Sequence, residues 1–263
     1  MENPQIILRQ TIDVQLYQKI KELETICLQN EEVDSYKLEL DYKLKNSMSH
    51  ENNQKINEFL YFINNNLIGY LGICDFDNEV LEATGMVHPN FRNQGIFTQL
   101  YTLVQDEFNK RPAKELLFIC PKDSNTGIQF IEKKQAAYHH AEYDMYLNSH
   151  SFIPMNNYHL ELKEIDTQKH LFNGRIGDTV VGQVRIEVVG ELGGIYGLEI
   201  YPSFRRQGYG RELLMQTIEK LLTLGIKNVF LQVDTINENA LSLYQSCGFI
   251  EKNVMNYYSI SKK

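Results

Sequence analysis

Residues 205–210, which read Arg-Arg-Gln-Gly-Tyr-Gly, form a basic segment with two closely spaced glycines in an acidic chain. Hydrophobic patterning predicts a strand before this segment and a helix after it. The first turn of a helix leaves backbone N–H groups without intrahelical partners and carries partial positive charge, which favours anions. Gly208 and Gly210 let that backbone approach phosphate oxygens without an intervening Cβ atom. These residue types at this spacing indicate a turn that binds a pyrophosphate.

Three phosphate-binding patterns have to be distinguished at this turn. A P-loop requires a lysine and then Ser or Thr after its glycines, but Gly210 is followed by Arg211. A dinucleotide-binding fingerprint requires glycine or alanine three residues after its second glycine, where Leu213 stands. The third pattern, Gln/Arg-x-x-Gly-x-Gly/Ala, is matched in full by Arg205, Gly208 and Gly210. Taken alone, this match is also compatible with an arginine-rich surface turn.

A second segment, residues 237–249, reads NENALSLYQSCGF and follows another predicted strand. It has the form N-x-x-A-x-x-L-Y-x-x-x-G-F. Both segments, in this order within one strand–helix–strand–helix unit, resemble the signature segments of the GNAT acetyltransferase family. The resemblance covers about residues 156–263.

The resemblance implies where an acyl-CoA binds. In this family the pyrophosphate lies on the amides of the glycine turn, and the pantetheine arm lies between two splayed parallel strands, which here end near Tyr201 and Val233. Main-chain groups around Ile200 would pair with the arm, and Asn237 matches the asparagine that contacts it. The implied cofactor-binding residues are Ile200, Arg205, Arg206, Gln207, Gly208, Tyr209, Gly210, Arg211 and Asn237.

The resemblance also implies a proton donor and leaves the base open. Tyr244 matches the tyrosine that protonates the departing thiolate, and a tyrosine with a pKa near 10 keeps its proton at pH 7. Glu199, on the strand before the turn, is the first candidate for the base. Some family members carry a glutamate on the strand that here reads FLQVD, where this sequence has Gln232. Asp234 or a chain of waters are alternatives. As structural alternatives, Tyr244 would be a core aromatic and Glu199 an exposed carboxylate.

A blurred copy of the turn occurs in the first half of the chain. A shift of 113 positions places Val87–Gly95 on Ile200–Gly208 with identical Pro, Phe, Arg, Gln and Gly. The same shift places residues 124–137 on 237–250 without a gap. A constant register over about 50 residues indicates a duplication.

The copy departs from the family pattern where the chemistry is expected. The replacements are Phe97 for Gly210, Ser124 for Asn237 and Ile131 for Tyr244. Isoleucine cannot donate a proton, so we interpret the first half as GNAT-like in fold and catalytically inactive. Tandem GNAT chains such as the mycothiol synthases have the same organisation.

The predicted fold class is α/β (α+β) with two tandem GNAT-like domains. Each would have a mixed, mostly antiparallel sheet with helices on both faces and a splayed pair of parallel strands. The predicted boundaries are a degenerate domain at 1–148, a linker at 149–157 and a catalytic domain at 158–263.

The two halves differ between their first two strands. Residues 14–47 predict one or two helices, whereas residues 166–177 are too few for such helices in the second half. Our hypothesis is that the first domain supplies the missing wall of the acceptor site.

Composition bounds the partners. The net charge of −8 and pI of about 5.4 argue against general nucleic-acid binding. No stretch approaches the roughly 20 apolar residues of a membrane span, and the N-terminus lacks the pattern of a signal peptide. The cysteines form no CxxC pair, so we expect small buried residues and neither a metal site nor disulfides. They are Cys27, Cys74, Cys120 and Cys247. The sequence predicts a cytoplasmic monomer or homodimer.

These observations together predict a GNAT-type N-acetyltransferase with acetyl-CoA as co-substrate. Its acceptor would be a small-molecule amine or the amino terminus of a peptide or protein. The alternative is a non-catalytic acyl-CoA-binding sensor or interaction module. A nucleotide-dependent enzyme is disfavoured because neither a lysine nor a metal-binding carboxylate pair accompanies the turn.

Overall fold

The computed structural model describes residues 3–30, 33–47, 54–76, 78–149 and 152–262. These residues form two compact units. Unit 1 contains Met1–Ala141 and Met255–Lys263, and unit 2 contains Glu142–Val254.

The first half of the chain begins with a strand, two helices and a three-stranded meander. Its elements are β1 Pro4–Arg9, α1 Val14–Leu28, α2 Leu40–Asn46, β2 Glu58–Ile63, β3 Asn66–Asp75, β4 Val80–Val87, α3 Ile96–Lys110, β5 Glu115–Pro121, α4 Asn125–Lys134 and β6 Ala137–Leu147. The helices α1 and α2 confirm the prediction for residues 14–47.

The second half repeats this order without the two early helices. Its elements are β7 Glu161–Asp166, β8 Leu171–Ile176, β9 Thr179–Val189, β10 Leu192–Ile200, α5 Tyr209–Thr223, β11 Asn228–Asp234, α6 Glu238–Ser246 and β12 Phe249–Ile260. Strand β8 lies in the segment that the sequence analysis treated as a connection. This strand has too few apolar residues to show the alternation that predicts a strand. Its backbone is buried against the side chain of Leu160, since a Cβ atom at Gly174 would lie 2.8 Å from that side chain.

Each unit has a mixed sheet in which one neighbouring pair is parallel. In unit 1 the order is β1-β2-β3-β4-β5 followed by the end of β12, and β4 and β5 are parallel. In unit 2 the order is β7-β8-β9-β10-β11 followed by the end of β6, and β10 and β11 are parallel. The mixed, mostly antiparallel architecture with a parallel pair is therefore confirmed.

The last strand of each half of the chain pairs with a strand of the other half. Residues 142–146 of β6 pair with β11, and residues 255–260 of β12 pair with β5. The boundaries of the two compact units therefore differ from the predicted domain boundaries, which were 1–148, 149–157 and 158–263. That division remains a prediction about the duplicated segments.

The hydrophobic cores account for the placement of the helices. In unit 1, α1 and α2 pack on one cluster with Leu60 and Tyr70, while α3 and α4 pack on another with Phe59 and Leu71. In unit 2, α5 and α6 both pack on a single cluster that includes Leu231. Helices thus lie on both faces in unit 1. Within the described part of unit 2, neither helix covers the second face.

The four cysteines are buried, as predicted. Burial raises the pKa of the Cys74 thiol to about 12. No helix among the described residues is both long enough and apolar enough to span a membrane.

Candidate active site

The parallel strands β10 and β11 separate along their length. They pair in register only over Leu192–Ile195 and Asn228–Leu231, although β10 continues to Ile200 and β11 to Asp234. Each strand stays paired on its outer side, β10 with β9 and β11 with β6. Over the separated ends, the two strands no longer satisfy each other's backbone groups, so an extended ligand can pair with them. The predicted splayed pair is confirmed.

A β-bulge in β10 lies where the two strands separate. Tyr196 pairs with Arg185 and Glu199 with Gln183, so two residues of β10 oppose one residue of β9. Gly197, within the bulge, has a φ of 56°, which glycine adopts without strain. Because of the extra residue, Tyr196 and Glu199 lie on the same face although they are three positions apart.

The glycine turn enters α5 through left-handed backbone. Arg206 has a φ of 64° and Gly208 a φ of 89°. Gly208 is the N-cap of α5, and no side chain caps this helix. The N–H group of Arg211 donates to the carbonyl oxygen of Gly208 at 3.0 Å, whereas the described hydrogen bonds give the N–H groups of Tyr209 and Gly210 neither a backbone acceptor nor a capping side chain, which is the condition for binding an anion.

The space around Gly210 within the protein does not require a glycine at this position. A Cβ atom built there would lie 3.5 Å from Leu243 Cδ2 and 3.7 Å from Ile200 Cγ1, which are ordinary contact distances. The positive φ of Gly208, in contrast, favours glycine whatever the surrounding space. The missing side chain at position 210 keeps the start of α5 uncovered between β10 and α6.

Two arginines of the turn bind protein groups while remaining exposed to solvent. Arg205 donates from Nε to the carbonyl oxygen of Ile200 at 2.8 Å, and its Nη2 lies 4.0 Å from Glu199 Oε1. Arg211 donates to Ser246 Oγ at 2.6 Å and so joins α5 to α6. The turn is consequently held in place by the same side chains that give its rim positive charge.

Tyr244 is buried on α6 and is 9% exposed. Its ring packs against Phe249 with 6.1 Å between the ring centroids. Burial raises the pKa of Tyr244, which keeps the phenol protonated at neutral pH. The adjacent residue Leu243 lies beside Gly210, so α6 brings this part of the helix close to the start of α5.

Asn237 and Asp234 order the connection from β11 to α6. Asn237 caps α6 by accepting a 3.2 Å hydrogen bond from the N–H of Ala240. Asp234 accepts a 3.0 Å hydrogen bond from the N–H of Ile236 through Oδ1. The contact of Asn237 with a ligand and the role of Asp234 as a base remain predictions.

The structure brings into this site a carboxylate that the sequence analysis missed. Asp144, on β6, pairs across the sheet with Gln232 on β11, and Gln232 Nε2 donates to Asp144 Oδ1 at 2.8 Å. Asp144 is 9% exposed. The two residues are 88 positions apart. The internal repeat did not point to Asp144 either, because the equivalent residue after the shift of 113 positions is Tyr257, which is not a carboxylate.

Unit 1 repeats the backbone geometry of this site. Strands β4 and β5 pair only over Val80–Ala83 and Glu115–Phe118, so they also separate. Arg92 donates from Nε to the carbonyl oxygen of Val87 at 3.0 Å, as Arg205 does to Ile200. The register of β4 with β3 is continuous, without the bulge that β10 has.

The side chains of unit 1 differ at each equivalent position. Phe97, equivalent to Gly210, packs against Phe130 with ring centroids 4.7 Å apart. Ile131, equivalent to Tyr244, is 4% exposed. Ile119 pairs with Tyr257 where Gln232 pairs with Asp144 in unit 2. A cavity of about 380 Å³ borders this turn.

The fold and site define a member of the GNAT acetyltransferases, and the chain belongs to that family. The model of the acetyltransferase (GNAT) family matches residues 17–136 and again residues 132–249. One match falls on each half of the chain, in agreement with the predicted duplication.

Individual relatives match shorter parts of the chain. The [ribosomal protein bS18]-alanine N-acetyltransferase of Salmonella typhimurium (strain LT2) is 37% identical over 73 residues, which cover 27% of this chain and 49% of that protein. This chain therefore spans about half the length of the relative.

Two solved structures share the fold over nearly the whole chain. A GCN5-related N-acetyltransferase from Sphaerobacter thermophilus has a TM-score of 0.78 at 16% identity and covers 98% of this chain and 96% of its own. A tandem GNAT protein from the clavulanic acid biosynthesis pathway has a TM-score of 0.76 at 10% identity and covers 99% of each chain.

Proposed function

We propose that this protein is an acetyl-CoA-dependent N-acetyltransferase that moves an acetyl group to a primary amine by direct attack in a ternary complex. The observation that carries the proposal is the opening between β10 and β11 with the uncapped start of α5 beside it. Acetyl-CoA joins an extended, amide-containing arm to a pyrophosphate, so it matches both parts of this opening. The arm pairs with backbone around Ile200 and the pyrophosphate binds the amides of Gln207–Arg211.

Residues of the turn and of α6 have distinct roles in this complex. Gly208 and Gly210 admit the phosphates, because neither places a Cβ atom over the helix start. Arg205, Arg206 and Arg211 add positive charge at the rim. Tyr209 contributes a first-turn amide, and Asn237 contacts the arm from the N-cap of α6.

Tyr244 is the proton donor to the departing thiolate. The amine attacks the thioester carbonyl carbon, a C–N bond forms, and the C–S bond breaks with the electron pair going to sulfur. The raised pKa of Tyr244 means that the phenol holds its proton until this charge develops. Holding both substrates together removes the need for a covalent enzyme intermediate.

Glu199 accepts a proton from the attacking amine. The β-bulge places Glu199 on the sheet face of Tyr196, and its side chain is 48% exposed. An exposed carboxylate can pass protons to solvent through water. Gln232, which occupies the position of the glutamate in some family members, cannot take this role because an amide does not ionise.

The first half does not catalyse the reaction. Phe97 stands where Gly210 leaves space, and Ile131 stands where Tyr244 would donate a proton. The acceptor of the second half is a small-molecule amine or the amino terminus of a peptide. The peptide amine is favoured by the name of the Salmonella typhimurium relative, an alanine N-acetyltransferase that acts on ribosomal protein bS18.

A non-catalytic acyl-CoA-binding module would use the same turn, so turnover has to be measured directly. The full chain is incubated with acetyl-CoA and a panel of primary amines and peptides, and free CoA is quantified. Amine-dependent release of CoA, together with mass spectrometry of the acetylated amine, supports the enzyme. Tight binding of acetyl-CoA without release over the whole panel would instead support the binding module.

A further inference from the structure

We propose that Arg211 and Ser246 are a positioning pair that holds α6, and with it Tyr244, against the start of α5. This inference rests on the proposed acetyl transfer and adds two residues to its proton-donating step. The two side chains do not exchange protons with the substrates. They act through the place that they give to the Tyr244 hydroxyl, so Arg211 has a second role beside its charge at the rim of the glycine turn.

The side chain of Arg211 binds the last residue of α6 at two points. Its Nη2 donates to Ser246 Oγ at 2.6 Å, and its Nη1 donates to the carbonyl oxygen of Ser246 at 3.3 Å. Ser246 Oγ in turn donates to the carbonyl oxygen of Leu243 at 2.7 Å. The last carbonyl groups of a helix lack intrahelical partners and carry partial negative charge, which suits a guanidinium. The pair therefore joins the C-terminal end of α6 to the first turn of α5.

Tyr244 depends on the placement of α6 because no hydrogen bond orients its hydroxyl group among the described residues. Burial alone raises the pKa of this phenol, without a neighbouring charge. Tyr244 is also the one buried residue of α6. It lies two positions before Ser246, so a movement of the last turn moves the phenol directly. A displacement of about 1 Å in a reacting group is enough to cost about 100-fold in rate.

The glycine that opens the phosphate site also removes a contact between the two helices. In unit 1, Phe97 of α3 packs against Phe130 of α4 with 4.7 Å between the ring centroids. The equivalent residues of unit 2 are Gly210 and Leu243, and Gly210 has no side chain to make such a contact. The positioning pair joins the same two helices one residue later in α5 and three residues later in α6. It thus supplies a connection while the glycine position stays open.

Unit 1 has other residues at the positions of the pair. Thr98 stands where unit 2 has Arg211. Lys133 stands at the position of Ser246, and no hydrogen bond joins it to Thr98 among the described residues. The residue equivalent to Tyr244 is an isoleucine, so unit 1 has no phenol to position. The pair therefore accompanies the glycine at the helix start and the proton donor in the same unit.

The test uses the full chain and measures both turnover and the opening of α6. Ser246→Ala removes the hydroxyl without changing the glycine turn, and Ser246→Thr restores a hydroxyl. Ser242→Ala is the matched control, because Ser242 is an exposed serine of the same helix whose hydroxyl has no hydrogen bond among the described residues. Alanine favours a helix more than serine does, so helix propensity cannot explain a loosened α6 in Ser246→Ala.

We expect Ser246→Ala to lower kcat about 10-fold, with the KM for acetyl-CoA and the Kd of CoA unchanged. A CoA-release assay and calorimetry measure these quantities. Ser246→Thr should keep most of the wild-type kcat, and Ser242→Ala should keep all of it. Hydrogen exchange followed by mass spectrometry should show faster exchange over Glu238–Ser246 in Ser246→Ala than in wild type or in the control. Unchanged kcat or unchanged exchange over α6 in Ser246→Ala would overturn the proposal.

A double variant separates positioning of Tyr244 from general support of the fold. In a Tyr244→Phe background, Ser246→Ala should have no further effect on kcat, because the group that the pair positions is already missing. A loss of about 10-fold that persists in this background would overturn the proposal, since the pair would then act independently of the phenol.

The two proposals fail separately. Faster exchange over α6 in Ser246→Ala, without amine-dependent release of CoA by wild type, would contradict the acetyltransferase and leave the positioning pair standing. Turnover by wild type, with unchanged kcat and unchanged exchange in Ser246→Ala, would do the reverse.

Discussion

Arg205 donates a 2.8 Å hydrogen bond from Nε to the carbonyl oxygen of Ile200, which joins the glycine turn to the last residue of β10. Arg92 makes the same bond to Val87 in unit 1, at 3.0 Å. The arginine thus persists in the copy that has lost Gly210 and Tyr244. Its shared contribution is to hold the turn against the end of the strand, a role separate from charge.

Replacing these arginines should separate the structural from the binding role. We expect Arg205→Ala and Arg92→Ala each to destabilise the protein by about 1 kcal/mol, the usual value of one such hydrogen bond. Only Arg205→Ala should also raise the KM for acetyl-CoA. Thermal denaturation and steady-state kinetics measure the two effects. Equal KM changes in both variants would contradict the assignment of the cofactor to unit 2.

Gly210→Ala should weaken cofactor binding without destabilising the fold. The new Cβ atom meets only ordinary contact distances within the protein, but it stands over the start of α5. We expect the Kd of CoA to rise about 10-fold, which corresponds to about 1.4 kcal/mol, at unchanged Tm. Gly208→Ala is the matched comparison, and its positive φ should cost about 1–2 kcal/mol of stability. A Gly210→Ala variant with unchanged CoA affinity would refute the pyrophosphate site.

Tyr244→Phe should lower turnover while leaving the affinity for acetyl-CoA unchanged. Loss of a general acid costs about 100-fold to 10,000-fold in rate. Since burial raises the pKa of Tyr244, the phenol should stay protonated across the neutral range, so its ionisation should not limit the rate of wild type there. Calorimetry and a pH–rate profile check both statements. Turnover by Tyr244→Phe equal to that of wild type would remove the tyrosine from the mechanism.

Glu212 should make unit 2 sensitive to acid. Burial acts to raise its pKa, but hydrogen bonds from the N–H groups of Leu160 and His159 and the nearby His159 ring outweigh burial and lower it. A carboxyl whose folded pKa is lowered contributes stability above the unfolded value, and this contribution disappears as pH falls below about 4.5. Glu212→Gln should therefore reduce the acid dependence of Tm. An unchanged acid dependence would contradict this account.

Two fragments test the exchange of closing strands. A fragment of residues 158–263 lacks β6 and leaves β11 with an unpaired edge beyond Leu231, whereas residues 137–263 retain β6. We expect the shorter fragment to aggregate or unfold at lower temperature, because an unpaired edge loses its backbone hydrogen bonds and attracts other strands. Size-exclusion chromatography and near-ultraviolet circular dichroism compare the two. Equal Tm values would show that β6 is dispensable.

Features that depend on neighbouring residues could be predicted from the sequence. The turn at Gly208 needs a residue with left-handed backbone directly before α5. Glycine adopts this backbone readily, so the turn can be predicted from the position of the glycine in the sequence. The second signature segment lies within one short helix, and the shift of 113 exposes the duplication. Comparing the two halves of the sequence also shows that the first half lacks equivalents of Gly210 and Tyr244. The sequence alone therefore indicates that the second half keeps these groups.

Only the tertiary structure decided the pairing of distant strands. Asp144 meets Gln232 because the closing strand of the first half lies beside β11, and no local pattern encodes which of two similar strands completes a given sheet edge. The bulge that turns Glu199 toward the face of Tyr196 is likewise a property of two paired strands. The sequence by itself determined the family signatures, the duplication and the half that retains them, because these reside in contiguous residues. The meeting of Asp144 with Gln232 was decided by long-range backbone pairing, because the two residues are 88 positions apart in the sequence.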